Sequence, residues 1–376
     1  MTIFCTGTLN SRTIPPRQGR QGFHDKLIAG IFITIFAISV YFSASAKIEF
    51  NSFFTISLAA VGILGVIVFI VAEGLSRPPH NGPHQFVMKD EMKGKRDEDE
   101  RVLVCLGDSL THGACSANWV DSIVTSLTKL QQYYNDCAEQ APNLLVVNAG
   151  HNSVCTHTVL HEKVNHVLAC KPDYIFIMIG SNDAMAVYRD DWAREKMSLW
   201  HLTERPTEDV LIRNLTDTIQ FFLDETTAAI AIATIPPFGE DFESASNKII
   251  HSINARIRML EHLLLCKLGN DNRLAQRITI IDVNDALWTE IKRHRRDSET
   301  IQPIDSFLPY AIVMGLLHCI FGFTWNTLTR LLTGNVVMSE ALHLNEDGGN
   351  IVKNEVVRWL MNKQTNDRSR ASSINT

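Results

Sequence analysis

The chain has few of the marks of a disulfide-built or nucleic-acid-binding protein. Its eight cysteines over 376 residues are scattered, with no Cys-x-x-Cys pair. This excludes a zinc ribbon and gives no disulfide framework. Cys105 falls in an apolar strand pattern and Cys266 in a helical one, so the sequence predicts reduced, mostly buried thiols in a reducing compartment. The formal charge of −6 gives no reason to expect nucleic acid as a partner. No internal repeat is present. At 45% hydrophobic and 20% charged residues the composition is that of a folded protein.

What the chain does have is apolar sequence unevenly placed. Residues 27–46 and 53–72 are two runs of twenty residues without a charge. At 1.5 Å per residue each spans about 30 Å, the thickness of a bilayer's hydrocarbon core. The intervening KIEFNS is only long enough to turn at the membrane surface, so a transmembrane hairpin over 27–72 is expected. A signal peptide, the competing reading of the first run, is shorter in its apolar part and is not followed at once by a second run. Arg12, Arg17, Arg20 and Lys26 precede the hairpin, and Arg77, Lys89, Lys93, Lys95 and Arg96 follow it, against Lys47 alone in the loop. The positive-inside rule then places both ends, and the domain that follows, in the cytoplasm.

The remainder divides into a linker at 73–100, a domain at 101–363 and a polar tail at 364–376 expected to be disordered. Short apolar runs at 101–107, 143–150, 173–180, 228–235 and 277–283 lack the period-2 alternation of a half-exposed sheet, so both faces are expected to be covered. Helical patterns lie between them at 119–134, 159–169, 210–223 and 246–268. Alternating strands and helices predict an α/β sandwich around a mostly parallel five-stranded sheet, with the functional site at the carboxyl ends of the strands.

Those ends carry unusual residues. The first run closes in Gly107-Asp108-Ser109, where Ser109 stands before a helix and within the field of its N-terminus. A serine or aspartate there can be a nucleophile or simply a helix cap. The second run closes at Gly150 and the third before Asn182. With the Ser109 N–H, the Gly150 N–H and the Asn182 amide make three donors suited to a developing oxyanion. A serine hydroxyl needs a base. Of the fourteen histidines, His112 is near Ser109 in sequence, and His157, His161 and His166 read as a solvated helix face rather than a metal site. His343 lies in a loop before the last helix, with Glu340 three residues upstream, where a carboxylate can orient an imidazole.

The blocks GDSLTHG, NAGHNS, IGSNDA and EALHLNEDGG, in that order, resemble the GDSL or SGNH hydrolase family, over roughly 101–285 and 339–362. The resemblance implies a flavodoxin-like α/β/α fold, no metal or other cofactor, and hydrolysis of esters, thioesters or acyl groups. It implies Ser109 as nucleophile, His343 as base, and an oxyanion hole of the Ser109 and Gly150 N–H groups and Asn182. One position departs from the family pattern: Glu340 stands where the family has Asp, one methylene longer. The same site can pass the acyl group to an alcohol or sugar instead of water, and a degenerate catalytic site would leave a membrane-tethered scaffold.

An insertion at 286–338 separates the last strand from His343 and contains KRHRR (292–296) and then an apolar stretch at 307–323. A single crossing there would put Ser109 and His343 on opposite sides of the bilayer. The stretch is therefore expected to be re-entrant, interfacial or an apolar lid. Together with the hairpin it predicts a lipid or long-acyl ester substrate and the bilayer as a partner. The oligomeric state is left open.

Overall fold

The computed structural model describes residues 77–93, 96–97, 100–126, 143–267, 276–295 and 304–374, with Gly62 and Gly65 besides. The expected hairpin at 27–72 lies, but for those two glycines, outside the described residues. Among the described residues no helix is long and apolar enough to cross a membrane.

Five strands form one sheet: β1 Glu100–Gly107, β2 Asn143–Gly150, β3 Tyr174–Met178, β4 Ala229–Ala233 and β5 Ile278–Ile281. Their order is β2-β1-β3-β4-β5 and all four pairings are parallel. This is the doubly wound order of flavodoxin-like sheets, in which the site forms where the strand order reverses, between β1 and β3. The helices, numbered in chain order from the described residues, are α1 Pro83–Lys93, α2 Ser109–His112, α3 (156–169), α4 Ser181–Tyr188, α5 Asp190–Trp200, α6 Glu208–Glu225, α7 Ala245–Arg258, α8 Leu260–Lys267, α9 Val283–His294, α10 Phe307–Phe321, α11 Trp325–Leu332 and α12 Glu346–Ile374; residues 119–126 are helical as well.

The continuous apolar runs have their physical reason in two cores, one on each face of the sheet. Val102, Val104 and Leu106 of β1 point to one face, against Val167 of α3, Ile219 and Phe222 of α6 and Ile253 of α7. Leu103 and Cys105 point to the other, against Trp119, Leu287 of α9 and Val356 and Trp359 of α12. Successive side chains of a strand face opposite ways, so a strand covered on both sides must be apolar at every position.

Several expectations need correction. Segment 73–100 is not a bare linker: Pro83 opens α1 at a position where its missing N–H costs nothing, and Phe86 and Val87 pack on the first core. Arg96 then donates to the carbonyls of Cys170 and Lys171 at 3.1 and 3.0 Å. The last helix continues to Ile374, into the tail expected to be disordered from 364. Cys105, Cys155 and Cys170 are buried, but Cys266 is exposed, on the outer side of α8.

Candidate active site

Register brings the site together. Gly107 at the end of β1 is aligned with Gly150 of β2 and Met178 of β3, so the residues that follow β1 and β3 emerge side by side. A Cβ at Gly107 would lie 2.2 Å from the Thr111 hydroxyl oxygen and 2.3 Å from the Met178 carbonyl. Only glycine lets the chain turn that tightly into α2. The capping role falls to Asp108, whose carboxylate accepts the Leu110 N–H at 3.0 Å. That leaves the Ser109 hydroxyl for other work. Burial raises the Asp108 carboxyl to about 6, although the Leu110 N–H works against it.

Ser109 Oγ lies 3.0 Å from His343 Nε2, and His343 Nδ1 is hydrogen-bonded to Glu340 Oε1. Glu340 is 1% exposed and His343 8%. Burial alone raises the Glu340 carboxyl, but the His343 charge and the hydrogen bonds from His343 and Ser339 more than reverse it, and the net direction is downward. A carboxylate has no proton to give, so Nδ1–H is the donor, and Nε2 is left with a lone pair facing the Ser109 hydroxyl. Burial lowers His343, while the charge and hydrogen bond of Glu340, with a further pull from Asp108, raise it, and the raising effects prevail.

The extra methylene of Glu340 is absorbed by the turn that carries it. Met338 and Leu344 form a bridge, and the Ser339 N–H donates to His343 O at 2.7 Å. This folds residues 339–343 back so that Glu340 and His343 face one another. The Ser339 hydroxyl donates to the other carboxylate oxygen of Glu340.

The turn is clamped from across the fold by a residue that sequence reasoning missed. Glu240, 4% exposed, follows β4. Its Oε1 accepts the backbone N–H groups of Val336, Val337 and Met338 at 2.8, 2.8 and 3.1 Å. Next to it the Gly239 N–H donates to Ala341 O at 2.6 Å. The only sequence signal was position, in the loop that follows a buried strand, since a carboxylate bound to backbone N–H groups leaves no side-chain pattern.

The predicted oxyanion donors are divided. Ser109 is the first residue of α2, whose early N–H groups point out of the helix. Asn182 lies in the first turn of α4, 6% exposed, and donates one amide N–H to Val154 O at 3.0 Å; its amide has a second N–H. Gly150 departs from the expectation. Its N–H donates to Asn148 Oδ1 at 3.0 Å, and a Cβ on it would lie 2.2 Å from His112 N. Gly150 is thus needed for the close approach of β2 and α2. The backbone beside Asn182 belongs instead to the turn at 151–154, where Ser153 has φ 63°.

Other expected residues lie apart from this chemistry. His112 is buried at the end of α2, accepting the Ala114 N–H through Nδ1 at 3.3 Å. His157 and His161 lie against each other on α3, tilted, with ring centroids 4.3 Å apart. Among the described residues no three His, Cys, Asp or Glu side chains are grouped to hold a metal ion.

With the serine, imidazole and carboxylate in line, the sequence match has a structural counterpart. Residues 105–265 match the GDSL-like Lipase/Acylhydrolase family. Over those residues the chain is similar to GDSL-like acylhydrolases, and it is a serine esterase. Similar solved structures include the lipase/acylhydrolase from Enterococcus faecalis, 18% identical, TM-score 0.43, over 70% of this chain and 96% of that one. Another is Axe2, an acetylxylan esterase from Geobacillus stearothermophilus, 15% identical, TM-score 0.44, over 69% and 93% of the two chains. No curated protein is significantly similar to the chain.

Proposed function

We propose that this GDSL-like esterase is tethered to a membrane and hydrolyses carboxylic esters of long acyl chains or lipids through an acyl-enzyme on Ser109. The observation that carries the mechanism is the line Ser109 Oγ, His343 Nε2, His343 Nδ1, Glu340 Oε1.

In this reading Nε2 takes the Ser109 proton as Oγ attacks the ester carbonyl carbon, forming a tetrahedral oxyanion. The resulting imidazolium is stabilised by Glu340. The oxyanion is met by the Ser109 N–H and the free N–H of the Asn182 amide, fixed in place by Val154 O. His343 then returns the proton to the leaving alcohol. Water, deprotonated by the same nitrogen, releases the acid and regenerates Ser109. The two uncharged runs at 27–46 and 53–72 and the charge asymmetry around them support a hairpin tether with the catalytic domain on the cytoplasmic side.

Purified full-length protein in detergent, assayed on esters of increasing acyl length, tests the substrate class. Turnover that rises with chain length supports the reading. A preference for acetyl esters replaces it with a short-acyl esterase.

A further inference from the structure

Helix α10 has no Asp, Glu, Lys or Arg in its fifteen residues. Its inner side is fully engaged. Phe307 meets Trp192 of α5 edge to face, with centroids 5.7 Å apart. Met314 packs with Ala117 and with Trp325 and Leu328 of α11. Both ends of this packing are tied to elements that carry site residues. Asp305, just before α10, accepts a hydrogen bond from Tyr188, the last residue of α4, whose first turn holds Asn182. Ala117 donates its N–H at 2.9 Å to the carbonyl of Leu344, the neighbour of His343. The helix is thus linked both to the element bearing Asn182 and to the turn bearing His343.

Its outer side is apolar and unpartnered. Leu308, Ile312, Val313, Ile320, Phe321 and Phe323 are 42 to 67% exposed, and Leu331 of α11 is 71% exposed. Leu308, Ile312 and Ile320 share one stripe, spaced by multiples of four. The polar side chain near the carboxyl end is engaged locally: His318 stacks on Trp325 at 4.4 Å, and its Nδ1 bonds to Phe323 O at 2.7 Å. A transient protein partner is expected to find a mixed surface with polar groups at its rim. An exposed stripe without hydrogen-bonding groups suits hydrocarbon instead.

The path of the chain points the same way. His80, a few residues after the apolar run 53–72, lies 3.5 Å from Asp121. Asp121 accepts a hydrogen bond from Asn118 at 2.6 Å, next to Ala117 under α10 and α11. The segment that follows the second apolar run therefore enters the domain beside the base of the exposed stripe. We infer that the outer face of α10 and α11 seats on a phospholipid bilayer, dips into its interface and holds the mouth of the Ser109 site at the level of the ester groups of lipids. This rests on the tethered-esterase reading and deepens it by naming the surface that meets the substrate's phase.

The full-length protein is reconstituted in phosphatidylcholine and phosphatidylserine vesicles containing a phospholipid with a diazirine near the head of its acyl chain. After photolysis, lipid adducts are mapped by mass spectrometry, and Ser109 is labelled with a fluorophosphonate in the same sample. Adducts within 307–323 as well as within 27–72 are expected. Adducts confined to 27–72, or cross-links from 307–323 to 27–72 or to a second copy, overturn the inference. Ser109 labelling without adducts in 307–323 rejects the docking face and leaves the esterase standing. Adducts in 307–323 without labelling reject the esterase reading. A Leu308→Ser, Ile312→Ser, Phe321→Ser variant adds a second arm. Its hydrolysis of a vesicle-borne long-chain ester is expected to fall tenfold or more, while fluorophosphonate labelling of Ser109 proceeds at the wild-type rate. An unchanged rate on the vesicle-borne ester overturns the inference.

Discussion

Ser109 and His343 are 234 positions apart in the chain and 3.0 Å apart, Oγ to Nε2, in the fold. The parallel sheet delivers the serine at the end of β1, beside the point where the strand order reverses, and the turn before α12 returns the histidine to it. Everything proposed about the chemistry depends on that distance and on what fixes each partner.

The first consequence concerns pH. Glu340 raises the His343 imidazole above its ordinary value near 6.5. The base is competent only when neutral, so kcat/KM is expected to fall as the pH drops through that raised value, with an acid limb above 6.5. Glu340→Gln removes the charge but keeps the burial, which favours the neutral ring. The limb should move to lower pH, while the plateau rate falls on the order of 10⁴-fold because the tautomer is no longer held. A limb that stays in place in the variant would show that Glu340 does not act on His343. A full pH–rate profile of both proteins decides this.

Asn182 gives a second test. As an oxyanion donor its loss should lower kcat by roughly 10²–10³-fold, about 3–4 kcal/mol of transition-state stabilisation, with KM little changed. Steady-state kinetics of Asn182→Ala measure it, and a rate within twofold of wild type would restrict Asn182 to holding Val154 O.

Glu240 is argued to be a positioning residue. Glu240→Ala leaves three buried backbone N–H groups without their acceptor, and a loss of roughly 2–4 kcal/mol of stability is expected in denaturant unfolding. Glu240→Gln keeps one carbonyl acceptor and should recover part of it. Because the clamp holds the turn bearing His343, kcat should fall in both variants more than KM changes. A stability loss with unchanged kcat would make Glu240 structural only.

Gly150 separates packing from catalysis. Gly150→Ala places a Cβ 2.2 Å from His112 N, so thermal unfolding should shift downward by the equivalent of about 1–3 kcal/mol. If the residue only lets β2 and α2 approach, the remaining folded fraction should label with fluorophosphonate normally. A stable but unreactive variant would return Gly150 to the oxyanion hole.

The sheet was legible because burial on both faces forces uninterrupted apolar strands, and all five were found within a few residues of their ends. The serine, histidine and glutamate were legible because each sits next to turn residues at a strand end or helix start. What escaped detection depends on backbone partners and three-dimensional neighbours. Glu240 binds N–H groups 96 to 98 positions away, and Gly150 is required by His112 across a strand–helix contact. Helix α1 was hidden because its sequence, PHQFVMKDEMK, is polar on average and buries only Phe86 and Val87 partway. Asn214 and Thr216 form a glycosylation sequon in sequence, yet both are buried in α6.

The most direct test of the account is covalent labelling of the nucleophile. The full-length protein is treated with a fluorophosphonate probe, and the modified peptide is identified by mass spectrometry. A single adduct on Ser109 is expected, absent from Ser109→Ala and strongly slowed in His343→Ala. Equal labelling of wild type and Ser109→Ala, or no labelling of a folded wild type, would contradict it.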